Sequence, residues 1–309
     1  MLDFLPKSVK GVLSLLLYAL NTIVLCFFLF VVALVKLIVP IKGATRFCNR
    51  VLIFISTLWI RINSFNSDLF NRIQWKVSGV EHLDMKHWYL VVCNHQSWVD
   101  ILVLQKVFNK KIPMLKFFLK KELIWVPVLG LAWWALDFPF MKRYSKQYIE
   151  KHPHLKGRDL KTTRKACEKF KTIPVSVMNF IEGTRFTHKK HNAQKSPYKH
   201  LLRPKAGGIA FVLSAMGESF QHFIDVTIVY PQGADTLWGF VSGRMKKIIV
   251  EVDVLPVTRE LTGDYFNNEA FRADFCSWLN ALWTKKDMTI ENILDREKKE
   301  RSDAPIGLK

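Results

Sequence analysis

His95 and Asp100 stand five residues apart in Asn94-His95-Gln96-Ser97-Trp98-Val99-Asp100. An imidazole is the usual general base near neutral pH. A carboxylate beside it fixes its tautomer and stabilises the cation it becomes on taking a proton. The pair directly follows Trp88-Tyr89-Leu90-Val91-Val92-Cys93, which is short, apolar and rich in β-branched and aromatic residues, as a buried strand is. Beyond it, Val99, Ile101, Leu102, Val103, Leu104, Val107 and Phe108 read as a helix. His95 therefore belongs to a strand-to-helix turn, where rigid elements can hold an imidazole at a cleft. The same residues admit a plainer task. Ser97-x-x-Asp100 before an apolar run has the form of a helix capping box, with aspartate replacing the usual glutamate.

Two further segments carry polar groups at strand ends. Phe180-Ile181-Glu182-Gly183-Thr184-Arg185 follows Ile173-Pro174-Val175-Ser176-Val177-Met178, a second buried-strand candidate. A glycine between a carboxylate and an arginine permits a sharp turn and close approach of backbone to ligand. Arginine offers a planar donor fork suited to phosphate. Earlier, Lys121-Glu122-Leu123 leads through Pro127 and Gly130 to Asp137-Phe138-Pro139-Phe140-Met141-Lys142-Arg143. That order places Lys142 and Arg143 at the end of a short apolar strand. Residues 186–205 are polar, basic and turn-rich, with Lys189, Lys190, Lys195, Lys199, Arg203 and Lys205. They read as a loop rimming the cleft. Lys205 precedes Ala206-Gly207-Gly208, a helix N-terminus that favours anions.

In this order the segments closely resemble the 1-acylglycerol-3-phosphate O-acyltransferase family of phospholipid synthesis. The first block is similar to that family's His-x-x-x-x-Asp motif. Leu136 to Arg143 is similar to the second block, Glu182-Gly183-Thr184-Arg185 to the third, and Val226-Thr227-Ile228-Val229-Tyr230-Pro231-Gln232-Gly233 to the fourth. Lys142-Arg143-Tyr144 and Phe186-Thr187 resemble the lysocardiolipin acyltransferase-like branch, in a bacterial member. One departure stands out: the second block often carries an early glycine and an isoleucine-aspartate pair, where Asp137 and Met141 stand here.

The resemblance implies transfer of a fatty acyl chain from acyl-CoA or acyl-acyl carrier protein to the sn-2 hydroxyl of lysophosphatidic acid, giving phosphatidic acid. It implies His95 as base and Asp100 as its orienter. Arg143, Arg185 and Lys205 would hold the acceptor phosphate. Glu182 would position the glycerol hydroxyl or order the arginines, with Gly183 and Thr184 beside it in the substrate-binding set. No cofactor is implied beyond the acyl donor as co-substrate. Two alternatives stay open: another lysophospholipid acceptor such as lysocardiolipin, or a catalytically silent lipid-binding membrane protein.

Composition bounds the setting of this chemistry. The chain has 309 residues, half of them hydrophobic and 13% aromatic, enough for a sizeable core. From Gly11 to Val35 no residue is charged, and Ser14, Asn21 and Thr22 are the polar side chains. About 20 apolar residues span a bilayer as a helix, whereas a signal peptide has an apolar core of roughly 7–15. The run therefore predicts a retained transmembrane helix. Lys36, Lys42, Arg46 and Arg50 outnumber Lys7 and Lys10 across it. The positive-inside rule then faces the catalytic domain to the cytoplasm, at a bacterial inner membrane. A second apolar run, Val51 to Ile60, is too short to cross and suits either an interfacial helix or one packed on the domain.

A net charge of +20 suits an anionic membrane surface, an acidic acyl carrier protein or acyl-CoA. It would suit nucleic acid too, but no reading module accompanies it, so no nucleic-acid partner is expected. Five dispersed cysteines without a Cys-x-x-Cys pair argue for reduced thiols. Together with His pairs that lack further ligands nearby, they give no expectation of a metal.

The predicted fold is α/β, with a mixed, largely parallel sheet flanked by helices. Residues 1–71 form the anchor and interfacial helix, 72–284 the acyltransferase domain, and 285–309 a charged, solvated tail. Asp159 to Lys171 and Phe266 to Trp283 read as helices, and Ile248 to Val254 as a half-exposed strand, antiparallel or at an edge.

Overall fold

The computed structural model describes residues 4–141, 170 and 173–303. Arg143, and the helix expected over Asp159 to Lys171 apart from Phe170, lie outside them.

Alternation along the strands builds the core. β2 (Tyr89–Cys93) is buried at every position. Its Leu90 and Val92 point to one face of the sheet, and Tyr89, Val91 and Cys93 to the other, as the two-residue period of a strand requires. It pairs in parallel with β6 (Ser176–Phe180) on one side and β7 (His222–Val229) on the other. β3 (Leu115–Phe117) adds to β6 in parallel. β8 (Lys247–Pro256) runs antiparallel to β7, and β1 (Gln74–Ser78) closes the edge parallel to β8. The order is β1-β8-β7-β2-β6-β3, mixed and largely parallel as predicted. β4 (Leu119–Lys120) and β5 (Phe140–Met141) form a separate two-stranded pair.

Helices cover both faces. α3 (Val99–Phe108) and the short α7 (Leu237–Val241) pack on the Val91 face. α6 (Ala206–Met216) and α8 (Glu269–Ser302) pack on the Leu90 face. α4 (Leu129–Ala135) and α5 (His188–Ala193) are short connecting helices. α8 passes the boundary expected at residue 284. The charged stretch continues as packed helix to Ser302, with Lys286, Ile290, Ile293 and Glu297 buried. Charged residues dominate the stretch and two of its buried positions, Lys286 and Glu297, are themselves charged, so hydropathy alone hides the buried stripe.

At the N-terminus, α1 (Lys7–Ile38) and α2 (Lys42–Phe70) form a helical hairpin. The short run Val51 to Ile60 is thus the middle of a long helix packed on α1. The polar side chains of α1 face α2. Asn21 Nδ2 donates to Asn63 Oδ1 at 2.7 Å, Asn66 Nδ2 to the Ser14 carbonyl at 3.0 Å, and Trp59 Nε1 to Thr22 Oγ1 at 3.0 Å. Paired polar groups of this kind hold helices together where no water competes. The opposite face of α1 leaves Leu16, Leu20, Ile23, Phe27, Phe28 and Leu34 exposed.

Among the described residues, α1 is the one helix long and apolar enough to cross a membrane. Both its ends rest on the domain. A Cβ at Gly11 would meet the Trp238 ring at 2.8 Å, so only glycine permits this approach of α1 to α7. At the other end Lys36 Nζ pairs with Asp137 Oδ2 at 2.8 Å. These contacts lie about 37 Å apart along the helix at 1.5 Å per residue. Asp137 has φ +57°, a left-handed conformation that favours glycine. The departure from the family pattern thus places a carboxylate, at some backbone cost, where it ties the domain to α1.

Candidate active site

The site is assembled at the carboxyl ends of β2, β6 and β7. Asn94, directly after β2, is fully buried. Its Oδ1 accepts the Ile228 amide and its Nδ2 donates to the Ile228 carbonyl, both at 2.9 Å. This locks the exit of β2 to β7. His95 comes next, with a side chain 13% exposed.

Asp100, in the first turn of α3, is completely buried. Its Oδ2 lies 2.8 Å from His95 Nδ1 and accepts the amides of Gln96 and Ser97 at 2.7 and 2.9 Å. Its Oδ1 accepts the Tyr230 hydroxyl at 2.6 Å. A carboxylate surrounded by donors can only accept, so the proton of the His95–Asp100 bond sits on Nδ1. Nε2 is then the acceptor. The two tasks read from the sequence are therefore performed by one group: Asp100 organises the turn amides and holds the imidazole. From behind, the His95 ring stacks on Phe180, with centroids 3.9 Å apart and planes 15° from parallel.

Glu182 does not face the cleft. It is fully buried, and its carboxylate accepts the His95 amide at 2.8 Å and the Leu202 amide at 3.0 Å. It holds the backbone of the histidine, which differs from the expected contact with glycerol or the arginines. Burial pushes its carboxyl up to about 7, against the pull of the two amides and of Lys286. The Phe186 amide donates to the His95 carbonyl at 2.7 Å. The His95 peptide is thus gripped at both ends by the segment after β6.

That segment turns at Gly183, whose φ of +70° suits glycine. The turn carries Arg185 outward, with its guanidinium 4.7 Å over the exposed Trp98 ring, a cation–π arrangement. Lys190 Nζ donates to Thr184 Oγ1 at 2.7 Å and to the Arg185 carbonyl at 3.0 Å. The Lys205 amide donates to the Ile181 carbonyl at 2.7 Å, and its Nζ would lie 3.1 Å from a Cβ on Gly183. Lys190 and Lys205 therefore gather with Arg185 on the turn whose Glu182 and Phe186 grip the His95 peptide. A cavity of about 370 Å³, lined by Leu52, Met114, Lys116, Leu136, Phe170 and Val175, opens at the opposite ends of β3 and β6 and is no part of this site.

Of the residues expected at the site, His95, Asp100, Glu182, Gly183, Thr184, Arg185 and Lys205 lie in this region, and Arg143 lies outside the described residues. Tyr230, Phe180, Trp98 and Lys190 join them, with contacts that residue type and spacing did not single out. Tyr230 carries two signals in the sequence: a polar tip directly after an apolar strand, and a place in the segment that resembles the fourth block.

A family model described as acyltransferase matches residues 74–231. The human 1-acyl-sn-glycerol-3-phosphate acyltransferase delta is 27% identical over 213 residues, which cover 64% of this chain and 51% of that protein. The 2-acyl-1-lysophosphatidylinositol acyltransferase of Saccharomyces cerevisiae is 24% identical over 242 residues, covering 65% of this chain and 60% of its own length. The chain thus spans about half the length of the acyltransferase delta proteins it matches. The crystal structure of the 1-acyl-sn-glycerophosphate acyltransferase PlsC from Thermotoga maritima superposes with a TM-score of 0.53 at 16% identity. That superposition covers 92% of this chain and 98% of the other, and so speaks for the fold. With more than half of its length matched by the family model, the chain belongs to the acyltransferase family.

Proposed function

We propose that the protein transfers a fatty acyl chain from a thioester, acyl-CoA or acyl-acyl carrier protein, to the sn-2 hydroxyl of lysophosphatidic acid. The observation that carries this reading is the His95 Nδ1–Asp100 Oδ2 contact of 2.8 Å, which leaves Nε2 as an acceptor. A hydroxyl with a high pKa attacks a thioester poorly unless a base takes its proton as the new bond forms. In this reading His95 Nε2 takes that proton while the acceptor oxygen bonds to the thioester carbonyl carbon. Collapse of the tetrahedral adduct breaks the carbon–sulfur bond, and His95 returns the proton to the leaving thiolate. Asp100 balances the transient imidazolium charge. No acyl-enzyme and no cofactor are needed, because the substrate hydroxyl is the nucleophile.

Arg185 and Lys205 would grip the acceptor phosphate, with Arg143 from the second block. The outward face of α1 and the charge of +20 would hold the protein at an anionic membrane. The domain would face the cytoplasm, where activated acyl donors are found. Lys142-Arg143-Tyr144 and Phe186-Thr187 support placement in the lysocardiolipin acyltransferase-like branch. The similarity to the yeast lysophosphatidylinositol enzyme supports a second reading, with another lysophospholipid as acceptor. Purified protein in membranes, offered a panel of lysolipids with each donor type, decides between them by product mass. Lysophosphatidic acid should be converted to phosphatidic acid fastest. No acylated product from any lysolipid would sink the enzymatic reading.

A further inference from the structure

α8 lies beyond the matched residues 74–231, yet one of its faces grips the loop that feeds the site. Asn280 Oδ1 accepts the Tyr198 hydroxyl at 3.3 Å. Asp287 accepts the amides of Lys199 and His200, each at 2.8 Å. Glu291 pairs with Lys199 Nζ at 2.6 Å and His200 Nε2 at 2.5 Å. The indole Nε1 of fully buried Trp283 donates to the Leu202 carbonyl at 3.0 Å. Residues 280, 283, 287 and 291 recur every three or four positions and so share a face.

The loop held in this way presents the Leu202 amide to Glu182, which in turn accepts the His95 amide. An unbroken chain therefore runs from the Trp283 indole through both backbone groups of Leu202 and the Glu182 carboxylate to the His95 backbone. One turn along α8, buried Lys286 pairs with Asp225 Oδ1 at 2.8 Å and donates to Thr227 Oγ1 at 3.1 Å. Its charge also favours the ionised form of Glu182. The other titratable groups around Glu182 are Asp100 and His95 after β2, Cys93 at its end, and Lys205 ahead of α6.

We propose that Trp283 is a positioning residue for His95, acting through Leu202 and Glu182, so that the C-terminal helix belongs to the acyl-transfer apparatus. This rests on His95 as the base. Both oxygens of Glu182 point at amide donors, so the carboxylate grips best when ionised and when the Leu202 segment is fixed. A tryptophan donor is well suited to fixing it, because a buried indole N–H without a partner is costly.

The test is Trp283→Phe in the full chain, which keeps an aromatic ring and removes the donor. Three quantities are measured: amide hydrogen exchange at Leu202 and His95, the infrared carboxyl band of Glu182 against pH, and kcat with the acceptor KM. The band is identified by its loss in Glu182→Gln. Exchange at His95 should speed up about fivefold, as expected for one lost hydrogen bond of about 1 kcal/mol. The Glu182 titration should move to higher pH, because a weakened amide contact favours the neutral carboxyl. Turnover should fall about five- to tenfold with the acceptor KM unchanged. A lowered melting temperature with unchanged His95 exchange and an unmoved Glu182 titration would overturn the proposal. Should Trp283→Phe fail to fold, Asp287→Asn loosens the same loop by weakening its hold on two amides. It should move both readouts in the same direction, and unchanged values there would also overturn the proposal. Exchange and infrared do not depend on which lipid is acylated. A wild type inactive on every lysolipid would defeat the functional reading while these two measurements still judge Trp283.

Discussion

Asp100 carries two tasks, and one substitution separates them. In Asp100→Asn the remaining oxygen can still accept the turn amides, and the new NH2 group can donate to Tyr230, whose hydroxyl then accepts. Burial pushes that hydroxyl well above the ordinary tyrosine range, with Asp100 adding to the effect, so it serves as a neutral donor in the native site. The variant should fold, yet lose acyl transfer by about 100- to 10,000-fold, since no charge offsets the imidazolium. Near-normal turnover would return Asp100 to the helix-capping task alone. Glu182 gives a test by pH. Its carboxyl ionises at about 7 in the fold against an ordinary 4.5, so the folded chain binds the proton more tightly than the unfolded one. The stability this lends is complete below about 4.5 and is lost as pH rises through about 7. Wild type should therefore lose stability relative to Glu182→Gln across that window, in denaturant titrations at stepped pH. A constant difference between the two proteins would mean that Glu182 is already ionised throughout.

Elements differ in how openly their residues announced them. β2, β6 and α3 were legible because each buries a continuous apolar run, and the polar groups that matter fall directly at the strand ends. α2 was not, because its middle ten residues are bounded by Arg50 and Arg61 while Asn63, Asn66 and Ser67 look like a helix leaving its core. Those polar side chains are buried because α1 supplies partners far away in sequence. α8 hid for the same reason: Lys286 and Asp287 read as solvent charge until Asp225 and the amides of Lys199 and His200 are brought opposite them. Tyr230 and Glu182 show the limit at the site itself, since neither spacing nor residue type tells which side of a turn a side chain takes. The hairpin's hold on the domain can be tested at Asp137. Asparagine tolerates the left-handed conformation but cannot pair with Lys36. A spin label on the C-terminal turn of α1 should therefore become more mobile in Asp137→Asn. Overall stability should change by no more than about 1 kcal/mol, because the pair is partly exposed. An unaltered label would show that the packing of α2 and α4 on α1 holds this end without the ion pair.

At the scale of the whole molecule, two forces would act on the same membrane contact and differ in their response to salt. The apolar face of α1, with Leu20, Ile23 and Phe27 exposed, would gain from burial whatever the ionic strength, as apolar transfer does. The excess of positive charge, +20 over the chain, includes exposed Lys189, Lys195, Arg203 and Lys205 near the site. It would add affinity only for anionic lipid, by about 1 kcal/mol for each basic residue near the surface. That part is screened as the Debye length shrinks from about 8 Å at physiological salt to about 3 Å at 1 M. Flotation of the full chain with neutral and anionic vesicles should therefore show neutral binding that survives 1 M salt and an anionic preference that does not. Replacing Leu20, Ile23 and Phe27 by serine should reverse the pattern, abolishing neutral binding and leaving a salt-sensitive attachment to anionic vesicles. If the serine variant still floats with neutral vesicles at high salt, the apolar contact lies elsewhere on the molecule, and α1 serves the domain as a structural strut.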